Sequence, residues 1–360
     1  MRHRRSICFL VAISAVLLTV GCEKFGPNRP MAVDTGTVTK ITPLSAVISG
    51  RAHLPGTTMT DLSFGVEYST DDSFSYGNTL TRIASSAESD YSYSVIVPCL
   101  EPATTYYFRS FISQNGEIAY GKTGSFKTKE ISSILKTLEV TEIGAASVTL
   151  NGYADVADCY FIAPLFMGSY GFRVEKDGKQ LEALEGKPTI FVTGSISNNQ
   201  YSYYLETDPE ANYTVTACLV SETRYPTTTP NTYSTGTGVY FSSETVSFRT
   251  KSIEASISLN ESSEISSTQA RVSGMVSFPH WESAFRSTIY VYYSDTAATV
   301  EDLKSSGLSG ASLFYSSYRP TDFWGILPDL QPDTQYYWTA VLEVNGVTFE
   351  TEVKTFRTTE

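Results

Sequence analysis

Histidine is almost missing from this chain: there are three in 360 residues, and His3 lies in the leading segment. Acid–base catalysis and metal ligation draw heavily on imidazole, so His53 and His280 leave little room for either. Basic residues are scarce too. The 26 Lys and Arg stand against 38 Asp and Glu, and a formal charge of −12 repels phosphate backbones, so nucleic acid is not an expected partner. Charged residues together make up 18%, below the ~25% of ordinary soluble proteins. The longest apolar run, Ile7 to Val20, is broken by Ser14 and Thr19. As a helix it would reach about 21 Å, short of a ~30 Å hydrocarbon core. No phosphate-binding glycine loop, HExxH or calcium-loop spacing occurs, and Asp71-Asp72 near Gly77 reads as a solvated turn, so no metal or cofactor is expected. Catalysis is not expected either. The enzymatic reading left open is a pair of acids converging for glycoside hydrolysis.

What the chain has in plenty is aromatic residues, 13% of the total with 24 Tyr and 19 Phe, enough to build sizeable cores. Its length suggests two or three domains. The leading segment opens on Arg2, His3, Arg4 and Arg5, followed by the short apolar run and small residues, which is the pattern of a secretory signal. It ends Leu18-Thr19-Val20-Gly21-Cys22, which resembles the bacterial lipobox, with a small residue directly before the cysteine and Thr19 where the family prefers Leu. The resemblance implies removal of residues 1–21, lipidation of Cys22 and stable attachment to a membrane through acyl chains. Removal leaves 23 basic against 38 acidic residues, a net −15. Residues 22–30, with Gly26, Pro27 and Pro30, read as a tether. Glu23 after the cysteine resembles lipoproteins sorted to the outer membrane. The cell surface is the expected location; Bacteroidota-type surface export signals carry several acids near that cysteine where this chain has Glu23 followed by Lys24, so the periplasmic face stays the alternative.

The body repeats itself. Three segments close alike, Ser125-Phe126-Lys127-Thr128, Ser247-Phe248-Arg249-Thr250 and Thr355-Phe356-Arg357-Thr358, at spacings of 122 and 108 residues. Each unit also has an alternating strand that runs into a glycine, at Gly50, Gly152 and Gly274. Leu100-Glu101-Pro102-Ala103-Thr104-Thr105-Tyr106 and Leu330-Gln331-Pro332-Asp333-Thr334-Gln335-Tyr336 share the spacing L-x-P-x-T-x-Y, of which the middle unit keeps Pro209 and Tyr213, with Leu205 displaced. These residues resemble the fibronectin type III family, in which this corner precedes strand F. The fold implied is all-β, with three tandem fibronectin type III or immunoglobulin-like sandwiches at 31–129, 130–251 and 252–360. A Tyr there would bury its ring while its hydroxyl satisfies a nearby carbonyl. Period two turns Tyr106, Phe108, Ser110, Tyr336, Trp338 and Ala340 inward, and Tyr107, Arg109, Phe111, Tyr337, Thr339 and Val341 outward. Asn115-Gly116 and Asn345-Gly346 mark tight F–G hairpins. Val300 to Ser305 would make one helical turn. Short joints near Lys129 and Lys251 suggest a semi-rigid rod.

Candidate binding residues lie where units depart from the repeat. The middle F–G connection, Ser221 to Gly238, reads as a long structureless loop carrying Tyr225 and Tyr233, and the B–C segment Tyr160 to Gly168 carries Phe166. B–C and F–G loops emerge at one end of such sandwiches, so the two would form a recognition tip, or else fold over one another to finish the core. Trp281 in the third B–C connection, and Trp324, expected to point outward from strand E, would suit sugar rings or domain packing. Cys159 and Cys218 share a unit in a disulfide-permissive compartment, although the strand register turns Cys218 outward. Asp295-Thr296-Ala297 resembles the Bacteroidota O-glycosylation motif, with Thr296 as acceptor. The expected partners are the membrane, through the lipid, and a protein or glycan. The reading is a binding, adhesion or spacer module, with carbohydrate capture as the alternative.

Overall fold

The structure, a computed structural model, describes residues 31–53, 62–75, 77–83, 90–114, 116–159, 169–181, 190–192, 198–226, 233–306, 308–309, 312–315 and 321–360. The body is an all-β tandem of sandwiches. The first comprises β1 (Ala32–Thr39), β2 (Ser45–His53), β3 (Ser63–Ser69), β4 (Asn78–Ile83), β5 (Tyr91–Pro98), β6 (Thr105–Gln114), β7 (Glu117–Tyr120) and β8 (Gly124–Lys127). Its sheets are β1-β2-β5 and β4-β3-β6-β7, with β8 also on β6. The second comprises β9 (Leu135–Thr137), β10 (Ser147–Ala154), β11 (Ser169–Lys176), β12 (Lys179–Gln180), β13 (Ile190–Val192), β14 (Gln200–Glu206), β15 (Asn212–Pro226), β16 (Tyr233–Phe241) and β17 (Val246–Arg249). The third runs through β18 (Ser256–Leu259), β19 (Ala270–Ser277), β20 (Ser287–Ser294), α1 (Val300–Ser306), β21 (Leu308–Ser309), β22 (Ser312–Tyr315), β23 (Asp322–Leu327), β24 (Gln335–Val344), β25 (Val347–Glu350) and β26 (Lys354–Arg357). The same sheet plan recurs, β9-β10-β14 facing β12-β11-β15-β16, then β18-β19-β23-β22 facing β21-β20-β24-β25.

The repeated glycine has a steric cause. At Gly50, Gly152 and Gly274 a Cβ would overlap the ring of Tyr93, Tyr201 and Phe323 respectively, each on the neighbouring strand of the same sheet. Removing the side chain lets that ring lie flat across the strand into the core. Tyr93 then reaches the facing sheet, donating to the Gly65 carbonyl at 2.9 Å, and Tyr201 reaches the carbonyls of Gly171 and Cys218 at 3.3 and 3.4 Å. Burial holds the Tyr201 phenol well above its usual range, so it stays a neutral donor.

The closing motif has a cause as well. Its Phe stacks on the corner Tyr in all three units, Phe126 on Tyr106, Phe248 on Tyr213 and Phe356 on Tyr336, with centroids 5.8, 5.5 and 5.6 Å apart. Its Thr pins the corner. Thr128, Thr250 and Thr358 donate to the carbonyls of Glu101, Asp208 and Gln331 at 2.7, 2.7 and 2.6 Å, and accept the N–H of Thr104, Ala211 and Thr334. Between those anchors the chain turns through left-handed Ala103, Glu210 and Asp333, a conformation non-glycine residues adopt only when held. In the second and third units the corner hydroxyl takes a donor where the sequence suggested a carbonyl. Tyr213 and Tyr336 instead accept backbone N–H groups, from Asp208 at 3.0 Å and Gln331 at 2.9 Å. Each such N–H sits in a turn with no strand neighbour to bond.

Inward positions follow period two, with Trp338 and Ala340 fully buried. The outward ones do not all reach solvent: Phe111, Thr339 and Val341 are buried too. In the third sandwich α1 packs on β20 and β24 and buries Leu303. Thr299 caps α1, accepting the Asp302 N–H at 3.1 Å and donating to its carboxylate at 2.6 Å. The Asn345–Gly346 turn has φ of 46° and 83°, both left-handed as a two-residue hairpin of type I′ requires. By internal contacts, residues up to 39 with 47–95 and 106–126 form one compact unit, and residues 40–46, 96–105 and 127–360 form another.

Candidate functional site

The second and third sandwiches meet inside the larger unit, and the B–C connection of the third makes the joint. Phe278 and Phe285 are buried at its two ends. Trp281 packs edge-on between them, 5.0 Å from Phe278 at 76° and 5.5 Å from Phe285 at 88°. The indole is therefore a half-buried wall of the core and not the open stacking platform its loop position suggested. It stiffens the loop and sets the direction of the next residue, Glu282.

Glu282 does what no sequence signal announced. Its carboxylate enters the turn between the first two strands of the second sandwich, accepting the N–H of Ala145 at 2.6 Å, the N–H of Ala146 at 3.0 Å and the Ser147 hydroxyl at 2.8 Å. Consecutive backbone N–H groups make a natural anion seat. A Cβ on Gly144 would overlap the same carboxylate, so the glycine is what lets it in. Ala145 and Ala146 are buried within the third sandwich's own core. Arg286 pairs with Glu206 at 3.0 Å, and the hydroxyls of Tyr204 and Ser283 meet at 3.2 Å alongside. Charge-assisted hydrogen bonds to a half-buried carboxylate contribute roughly 1.5–3 kcal/mol each. Leu44, from the preceding copy of the same turn, packs in the second core in the same cluster as Cys159.

The remaining candidates are placed as follows. Cys159 and Cys218 are both buried, and no disulfide joins them. Cys159 closes the described part of its loop beside Thr42, and burial pushes its thiol up. Cys218 does sit on the outward side of β15, opposite Gly171, yet is fully covered. The connection read as a structureless F–G loop is a β-hairpin: β15 and β16 pair from Cys218↔Phe241 to Pro226↔Tyr233, with Tyr225 opposite Ser234. Residues 227–232, Phe166 and Cys22 lie outside the described residues. Trp324 points outward as expected, half-buried, but the Arg271 guanidinium lies 4.4 Å over its ring and is held there by Glu264 at 2.9 Å. Thr296 is exposed in a turn, its hydroxyl 3.2 Å from that of Ser294. Asp71 is a turn residue, its carboxylate taking the N–H of Ser73 and Ser75. Among the described residues no group of three or more His, Cys, Asp or Glu is placed to hold a metal.

No protein-family model matches the chain, and no curated protein matches it in sequence. Among solved structures it is similar to the FN1–FN3 domains of chicken CNTN1, at 13% identity over 92% of this chain and 99% of that one, with a TM-score of 0.23. Titin domains A168–A170 give 11% identity over 92% and 99%, with a TM-score of 0.32. The sensor domain of the anti-sigma factor RsgI4 of Pseudobacteroides cellulosolvens matches 28% of this chain and 97% of its own, at 19% identity and a TM-score of 0.24. Superpositions this loose carry no functional weight.

Proposed function

We propose that this is a non-catalytic cell-envelope protein, lipid-anchored through Cys22 at the outer membrane, in which sandwiches at 31–129, 130–251 and 252–360 space and present a binding surface. The Glu282 clasp supports the reading best. A carboxylate seated on three donors and flanked by an ion pair holds a joint in one arrangement, which a spacer needs and a flexible linker lacks. The exposed turn at Thr296 suits glycan attachment on such a protein. The anchor is tested by fractionation: wild type sediments with membranes, and Cys22→Ala is released. A Cys22→Ala protein that stayed with membranes would remove the anchor from the account.

A further inference from the structure

The first sandwich has an open groove of about 410 Å³ on the outer face of the β1-β2-β5 sheet, lined by Asp34, Gly36, Ser49, Arg51, Ser92 and Ser94 among others. Its origin is a bulge. β1 pairs with β2 at Thr35↔Gly50 and resumes at Val38↔Ile48, so the strand bends at Gly36, where a Cβ would meet Ser49. Ser49 pins the bulge by accepting the Thr37 N–H at 2.9 Å and donating to the Thr37 carbonyl at 3.0 Å.

The charges on this face are arranged unusually. Asp34 and Arg51 are directly opposite across the strands, yet neither pairs with the other. Arg51 turns to Asp90 at 3.1 Å, and Asp34 turns to His53 Nε2 at 2.7 Å, while His53 Nδ1 meets Asp90 at 2.8 Å. Both ring nitrogens face carboxylates, which favours the protonated form of His53, an imidazolium between two anions. In that form two cations and two anions make the cluster neutral. It binds Asp34 through one oxygen and Arg51 through one nitrogen, so a carboxylate oxygen and most of the guanidinium fork make no other contact among the described residues. These side chains are 71% and 56% exposed, side by side in the groove.

The equivalent faces of the other sandwiches are filled. Asn151 occupies the second, bonded to the Glu139 carbonyl at 2.9 Å and Thr141 at 3.0 Å, and the third holds Asn260 on Ser273 beside Trp324 under Arg271.

We propose that the groove is a binding site for a neutral polyhydroxylated ligand, a saccharide, held by Asp34 and Arg51 with Ser92 and Ser94 beside them. A carboxylate accepts from two neighbouring hydroxyls, and a guanidinium donates to two oxygens. With His53 protonated the cluster gives no net attraction to an ion, and the groove sets these polar groups beside Gly36, Gly50 and Tyr93, a mixed lining that matches the hydroxyls and C–H faces of a sugar. The hydrogen bond from Asp34 raises the His53 pKa against the opposing effect of burial, with Asp90 adding to it. Protonation is therefore complete at mildly acidic pH and lost as pH rises through that raised value. There one ring nitrogen becomes an acceptor facing a carboxylate, and the placement of Asp34 is lost with it. This site is independent of the joint, so its failure leaves the spacer reading standing.

The test is a neutral glycan array with the purified full chain, followed by calorimetry of any retained glycan. Ser92→Phe fills the groove from an exposed strand position and keeps all four charged side chains, and Arg51→Ala removes the fork. Each should weaken binding roughly tenfold or more. Wild-type affinity should fall as pH rises, and His53→Gln should flatten that profile. An array that retains no neutral glycan, or a retained glycan indifferent to both groove variants, overturns the site. A wild-type profile independent of pH overturns the role given to His53.

Discussion

The second and third sandwiches close the same corner with different residues. In both, a Thr pins the turn, a Phe stacks on a Tyr, and the Tyr hydroxyl accepts a backbone N–H. One position earlier they part. Leu330 is buried in the third, and Thr207 takes its place in the second, each sending its N–H to the matching carbonyl, Thr268 or Ala146. The Thr207 hydroxyl is buried without a partner among the described residues. Backbone bonds and ring stacking therefore set the corner, and the side chain at this position alters only how stable it is.

That comparison can be broken from either side, and the chain carries its own reporter. All three tryptophans, Trp281, Trp324 and Trp338, lie in the third sandwich, so denaturation followed by indole fluorescence reads that unit while circular dichroism reads all of them. The largest effect is expected for Trp324→Phe/Trp338→Ala against the Trp324→Phe parent, where emptying a fully buried site destabilises the third sandwich by about 3–5 kcal/mol. Remaining Trp281 fluorescence should shift to lower denaturant. Gly152→Ala and Gly274→Ala each force a methyl into a ring and should cost about 2–3 kcal/mol, the first seen by dichroism and the second by fluorescence. Tyr213→Phe and Tyr336→Phe should lose about 1–2 kcal/mol each, because each strands one N–H. Unequal losses would mean that the two corners are not equivalent. Smallest and opposite in sign, Thr207→Val should stabilise the second sandwich by about 1 kcal/mol. A loss there would show that the hydroxyl has a role.

Backbone-level features were legible in the sequence because they are written locally. Pro102 and Pro332 fix a turn, Asn345-Gly346 takes two left-handed positions, and alternation sets the inward face of β6, β15 and β24. The repeated glycines are visible as a pattern, but their cause, a ring from a neighbouring strand that is far away in sequence, is not. Burial on the outward face at Phe111, Cys218 and Val341 was missed because alternation describes a strand and not what later covers it. Glu282 was missed for the same reason. Its partners lie 135 to 137 residues away, and nothing in a loop glutamate says which turn it will enter. The middle hairpin reads as a loop in the sequence because its Gly and Pro lower strand propensity, whereas pairing is set by cross-strand register.

The central claim is that Glu282 fixes the joint between the second and third sandwiches. Its most direct test is the distance distribution between spin labels at exposed positions 179 and 352, one in each sandwich, measured by pulsed EPR in wild type and in Glu282→Ala. A single narrow distribution that broadens in the variant is the predicted result. A broad wild-type distribution, or one the variant leaves unchanged, would contradict it.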